Sequence, residues 1–175
     1  MDNENKEKTV EEIRKILDMQ EEILQFNHFS NEDAIALGNF MLQEAIRKEL
    51  KIAISIRRIN GLTVFQAMRD ETNLDSLSWM NRKFNTVLRT EVSSLSWFMR
   101  LKQNDQTMAD KFMDENVYAC CGGGFPVRVE DAGVVGVILV SGLNHVQDHD
   151  FIVKCLSKYL HLDEVPRISK SDVYN

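Results

Sequence analysis

Ile52, Ile54 and Ile56 alternate with Ala53, Ser55 and Arg57, and Asn60-Gly61 follows shortly after. Alternation at a period of two places one set of side chains on one face of a strand. Asn-Gly is the preferred pair for a two-residue hairpin turn, because both positions tolerate positive φ. Pairing Ile59 with Leu62 across that turn predicts Ile56 opposite Phe65 and Ile54 opposite Ala67, four residues on one face. The chain is thereby committed to a sheet.

The rest of the sequence is helix, then more sheet, then helix. Val10, Ile13, Leu17 and Leu24 keep roughly helical spacing, and Ser30-Asn31-Glu32-Asp33 fits a capping box for a second helix whose apolar face is Ala34, Leu37, Met41 and Ala45. A third helix is predicted from Asp75 to about Thr90, with Leu77, Met80, Phe84, Val87 and Leu88 as its buried stripe. Arg82, Asn85 and Arg89 fall on the opposite side, and Lys83 points sideways, near Trp79 and Thr86. A fourth helix is predicted over Ser93 to Lys102. Beyond it come strands over Val117 to Cys120, Phe125 to Val129 and Val134 to Val140, a helix from about Val146 to Leu160, and a loose polar tail after Val165. Short connections between strands and helices at both ends indicate an α+β domain with a mainly antiparallel sheet.

At 175 residues, 43% hydrophobic and 27% charged, the chain is a single soluble globular domain over residues 1–175, with its core at about 10–162. The longest apolar run, Val134 to Val140, is far too short to span a bilayer, and Met1 to Lys8 carry no apolar signal segment, so the expected location is cytoplasmic. A net charge of -6 argues against nucleic acid or an anionic membrane as partner. Cys120, Cys121 and Cys155 have no metal-site spacing and are expected to be free thiols.

Few residues suggest chemistry. Gly122, Gly123 and Gly124 precede a strand rather than a helix and lack Gly-Lys-Ser/Thr, so they read as a tight turn or a close backbone approach rather than a phosphate loop. They can still wall a pocket. Cys121 is an inert thiol, a reactive thiol or a soft ligand. His149 shares a helical stripe with Val153, Leu156 and Leu160, so its ring points inward, as a core histidine or as a base facing the glycine loop. Asp148 can serve the helix N-terminus. His145 lies four residues before His149, but Asn144 reads as a cap, which argues against a metal pair. The Arg82, Asn85 and Arg89 face is solvated, binds an anionic group, or pairs with an acidic neighbour in an oligomer. No nucleophile elbow surrounds Ser141.

Taken together, D-A-I-A-L-G in the second helix, W-M-N-R-K-F-N in the third and G-G-G-F-P-V-R-V…G-V-V-G-V-I-L-V-S-G-L…D-H near the end resemble the haem-degrading-domain family, the GlcG and HbpS-like proteins. The resemblance covers roughly residues 10 to 162. It implies a profilin-like fold with a mostly antiparallel five-stranded sheet and helices on both faces, a homo-oligomer, and haem or a related tetrapyrrole as ligand. Arg82, Lys83, Asn85, Asp148 and His149 match the family's pattern, whereas Cys121 stands where that pattern carries histidine. The expected ligand-binding set is Arg82, Lys83, Asn85, Cys121, Gly122, Gly123 and His149, with no metal site. The first reading is a protein that binds a small anionic molecule. The alternatives are an enzyme on a small anionic metabolite, with His149 as acid/base and Arg82 holding the anion, and a structural or interaction module.

Overall fold

The computed structural model describes residues 8–174, so most of the polar start, Met1 to Glu7, lies outside the described residues. Helix α1 (Val10–Ile23) opens on a capping box between Thr9 and Glu12, and α2 (Asn31–Arg47) on the predicted box between Ser30 and Asp33. Each box satisfies helix N–H groups that have no partner in the first turn. The chain continues through β1 (Ala53–Arg58), β2 (Thr63–Met68), α3 (Leu74–Thr90) and α4 (Ser94–Gln103). It ends with β3 (Gly124–Val129), β4 (Gly133–Ser141), α5 (His145–Tyr159) and α6 (Lys170–Tyr174).

The strands form an antiparallel sheet in the order β2-β1-β4-β3. Its two faces are covered differently. Ile54, Ile56, Phe125, Val127, Ile138 and Val140 pack with α2 and α5 in the larger core, whereas Ala53, Val137 and Leu139 pack against Met80, Phe84 and Val87 of α3. A third cluster, Ile13, Leu17, Leu95, Met99, Val146, Ile168 and Val173, joins α1, α4, the start of α5 and α6.

Five expectations are corrected. The sheet has four strands rather than five. Residues 117–120 are not a strand because their backbone groups are engaged by α3: Asn85 Nδ2 donates to Val117 O at 2.9 Å, Thr86 Oγ1 donates to Ala119 O at 2.9 Å, and Ala119 N donates to Arg82 O at 3.2 Å. Ile56 does pair with Phe65 and Ile54 with Ala67, but the register shifts beyond Ile56, so that Arg57 faces Thr63. The turn is a three-residue loop closed by Gly61 N to Arg58 O and Arg58 N to Leu62 O, with Gly61 at φ 92°, where the extra residue makes a bulge. The tail is not loose, since Val165, Ile168 and Val173 are all buried. Within the α3 stripe, Leu88 is exposed and Lys83 is buried in its place. Helix α3 is covered on two sides, by the sheet and by the 109–121 segment, and a single-stripe reading registers only one of them.

Among the described residues no helix is long and apolar enough to cross a membrane. All three cysteines are free.

Candidate functional site

The glycine loop sits where α3, the end of β4 and the start of α5 converge. Asn144 caps α5, its side chain accepting from Val146 N at 3.0 Å, and this sets the helix entry so that Asp148 points back toward α3. From α3, the Lys83 ammonium donates to Val140 O at 2.9 Å and to Asp148 Oδ2 at 3.2 Å. Both side chains are 3% exposed. The other Asp148 oxygen accepts from Leu143 N at 2.9 Å. A Cβ on Gly123 would lie 2.4 Å from Val140 O and 2.5 Å from Lys83 Nζ, and its φ is +113°. Gly123 is therefore the residue that lets the loop close over the ion pair, by conformation and by size.

Beside this pair is a cavity of about 230 Å³ lined by Trp79, Lys83, Cys121, Ser141, Leu143, His145 and Asp148. A larger cavity of about 460 Å³ lies between residues 25–28 and Tyr159–Leu162. Its polar residues His28 and Asp33 are tied to one another and to the α2 cap, and no buried charge faces it.

The electrostatics of the smaller cavity follow from burial. Desolvation raises the Asp148 carboxyl above its ordinary value, against the opposing pull of Lys83 and the N–H groups of Leu143 and Gly142. The Cys121 thiol is likewise pushed up by burial, so Lys83 and Arg82 nearby do not make it a thiolate. Burial lowers His145 to about 4, with the Lys83 charge adding to the effect. Its Nδ1 accepts from Gly122 N at 2.9 Å and its Nε2 meets the Tyr174 hydroxyl. At neutral pH the cavity thus holds one buried ion pair, a neutral thiol, a hydroxyl and a neutral imidazole.

The expected site residues are dispersed. Lys83 and Cys121 line the cavity, and Gly122 and Gly123 form the loop behind it. Arg82 stacks on Trp79 at 4.0 Å and donates to Glu115 O at 3.4 Å; Asn85 holds Val117 O; Arg89 holds Lys111 O and Phe112 O. That face clamps the 111–118 segment onto α3. His149 is 1% exposed and points away from the cavity, its Nε2 2.8 Å from Gln20 Oε1. Burial lowers it to about 4, so it is neutral, and its Nδ1 has no protein partner. His145 lines the cavity instead. The sequence offers Ser141 only as a nucleophile without its elbow and His145 only as half of a metal pair, and it does not single out Leu143; all three sit at or near a strand end and a helix start, where periodicity carries no facing information. It named Asp148 without its partner Lys83, which lies 65 positions away.

The model of the haem degrading protein HbpS-like family matches residues 29–157, which include every residue lining this cavity. The chain belongs to the HbpS-like family. Within that family it is 36% identical over 147 residues to a UPF0303 protein of Brucella ovis and to another of Brucella melitensis biotype 1, covering 83% of this chain and 86% of each relative. Among solved structures, the Ybr137w protein superposes with a TM-score of 0.77 at 27% identity, over 86% of this chain and 90% of that one. HbpS superposes with a TM-score of 0.61 at 20% identity, over 78% and 92%. A PduOC:heme complex does so with a TM-score of 0.61 at 17% identity, over 74% and 93%. At those last two identities the likeness is one of fold.

Proposed function

We propose that this HbpS-like chain binds a small molecule carrying a carboxylate in the cavity between α3 and α5. The observation that carries the reading is the Lys83 ammonium, buried at an open cavity with two protein acceptors for its three N–H groups. Asp148 does not cancel that cation fully, because backbone N–H groups share its charge and it lies in the positive first turns of α5. Trp79 and Leu143 supply an apolar wall, and Ser141 a hydroxyl, for the remainder of the ligand. A volume of about 230 Å³ lies below the roughly 300–1,000 Å³ of pockets that enclose drug-sized ligands, so the ligand is a small metabolite. Binding is favoured over catalysis because neither His145 nor Cys121 is poised to exchange a proton near pH 7.

Haem is a second reading, supported by the family's name and by the haem complex of a protein with this fold. An axial iron ligand must present a free donor. In this cavity both His145 nitrogens are engaged, Cys121 holds its proton, and no methionine is among the lining residues. His149 is sealed in the core. These residues do not fit an axially ligated haem. The family resemblance also supports self-association, and Leu74 and Phe112, at 82% and 90% exposed, are apolar side chains that an oligomer would cover. Light scattering on the purified protein reads its mass.

The test is a titration of acetate, propionate and benzoate followed by Trp79 fluorescence in a Trp97→Phe background, with haemin followed at the Soret band in parallel. Saturable quenching by a carboxylate is expected, with no stoichiometric Soret shift. A saturable Soret shift abolished by Cys121→Ala or His149→Ala, with no response to carboxylates, would overturn the reading in favour of haem.

A further inference from the structure

The C-terminal segment reaches the cavity through one side chain. His145 is a wall of the cavity, and its ring is held from three sides: Phe98 stands edge-on at 5.4 Å, Tyr174 edge-on at 5.6 Å, and Gly122 N donates to Nδ1 at 2.9 Å. Because Nδ1 accepts, the neutral ring carries its proton on Nε2. Nε2 therefore donates, and the Tyr174 oxygen accepts. We propose that Tyr174 is a positioning residue of the ligand cavity, through which the docked C-terminal segment fixes the orientation of His145 and withholds its Nε2–H from the ligand. The proposal rests on the ligand reading above and names a further part of that same site.

Three observations support it. First, α6 is anchored independently of this contact: Val173 is 1% exposed among Ile13, Leu17, Leu95 and Met99, Lys102 Nζ donates to Val173 O at 3.0 Å, and Lys8 pairs with Asp172 at 2.6 Å. The Tyr174 hydroxyl is thus delivered by a docked element. Second, the same segment ties the next turn of α5. His149 Nε2 meets Gln20 Oε1 at 2.8 Å, and Gln20 Nε2 donates to Pro166 O at 2.7 Å. Two successive turns of the helix that carries Asp148 are therefore keyed to residues 166–174. Third, Tyr174 itself is 51% exposed and adds little to the core, so its ordered hydroxyl calls for an account other than packing.

The cavity consequently meets the carbon edge of His145, while the ion pair supplies the polar recognition. Without the Tyr174 oxygen, Nε2–H loses its acceptor and the ring can turn about Gly122, opening a polar group toward the ligand's apolar part.

Tyr174→Phe keeps the ring and the docked helix and removes only the oxygen. Two readouts are needed. Long-range 1H–15N spectra report the His145 tautomer and the exchange of its Nε2 proton, and benzoate titration in the Trp97→Phe background reports affinity. The expected result is a slowly exchanging Nε2–H on His145 that is lost in Tyr174→Phe, with benzoate bound on the order of three- to tenfold more weakly, the worth of one oriented hydrogen bond. An unchanged Nε2–H signal overturns the proposal. So does a lost signal with unchanged affinity, since His145 would then be oriented without consequence for the ligand. If the parent protein binds none of the carboxylates, the ligand reading falls and takes this one with it. If the parent binds and the variant binds equally, only the role of Tyr174 falls.

Discussion

Replacing Lys83 by methionine tests the organisation of the site most directly. The substitution keeps an unbranched stem in its slot between the sheet and the glycine loop and removes the ammonium, with its bonds to Val140 O and Asp148. Asp148, 3% exposed, is left without its cation. Breaking a buried pair by removing one partner costs about 3–5 kcal/mol, because the remaining charge is uncompensated. Here Leu143 N and Gly142 N still bond the carboxylate, so about 3 kcal/mol, the lower end, is expected at pH 7.5. The penalty has a defined pH dependence. Burial already raises Asp148, and loss of Lys83 removes a group that lowers it, so in the variant the folded-state value rises further. A carboxyl raised above its unfolded value takes up its proton in the native state first. The penalty is therefore full above the folded value and shrinks as pH falls toward the unfolded value of about 3.9. Lys83→Met/Asp148→Asn keeps an oxygen for Leu143 N with no charge, and should recover about 2 kcal/mol of the single variant's loss. Urea unfolding followed by circular dichroism at pH 7.5 and pH 5 measures all three proteins. A Lys83→Met penalty below about 1 kcal/mol, or one that grows on acidification, would refute the buried-pair account.

Further consequences can be checked by the same unfolding assay. Gly123→Ala should cost about 3 kcal/mol or more, from strain at a φ that L-residues avoid plus a Cβ at 2.4 Å from Val140 O, whereas Gly61→Ala, with open space around its Cβ, should cost about 1 kcal/mol; equal costs would contradict the close approach. His149, lowered to about 4 by burial, contributes stability that is full above its unfolded value near 6.5 and is lost as pH falls through 4, up to about 3 kcal/mol. His149→Gln should flatten the stability profile in that window, and an unchanged profile would place its titration elsewhere. Arg47 and Lys158 hold Glu44 down at about 2, but these cations are 62% and 57% exposed, so Glu44→Gln should lose only about 1 kcal/mol, present above pH 4.5 and gone near pH 2. A loss that persists at pH 2 would point to packing instead.

Local signals in the chain were sufficient for the elements. The boxes at Ser30 and the cap at Asn144 act over a few residues, and isoleucine alternation names β1 because strand geometry repeats every second residue. The same locality explains the failures. Residues 117–120 read as a strand, but their backbone partners are side chains of α3 some 33 positions earlier. The tail after Val165 is polar on average, yet Val165 docks in the larger core, and Ile168 and Val173 dock in a groove that exists only once α1 and α4 have packed. The Asn-Gly turn took a longer loop because a bulge near its end shifts the register by one residue.

At the site the division is sharper. Sequence alone determined that the glycine loop adjoins a strand and not a phosphate-binding helix, that Asp148 sits in the first turns of a capped helix, and that Lys83 belongs to α3. Tertiary structure decided that Lys83 and Asp148 meet, that Arg82 and Asn85 clamp a loop while Lys83 goes inward, and that His145 rather than His149 faces the cavity. A helical residue's facing depends on every surface that covers the helix, and α3 is covered by two. Periodicity records burial but not what does the burying; a charge that must be buried is assigned its partner only when the whole chain has closed around it.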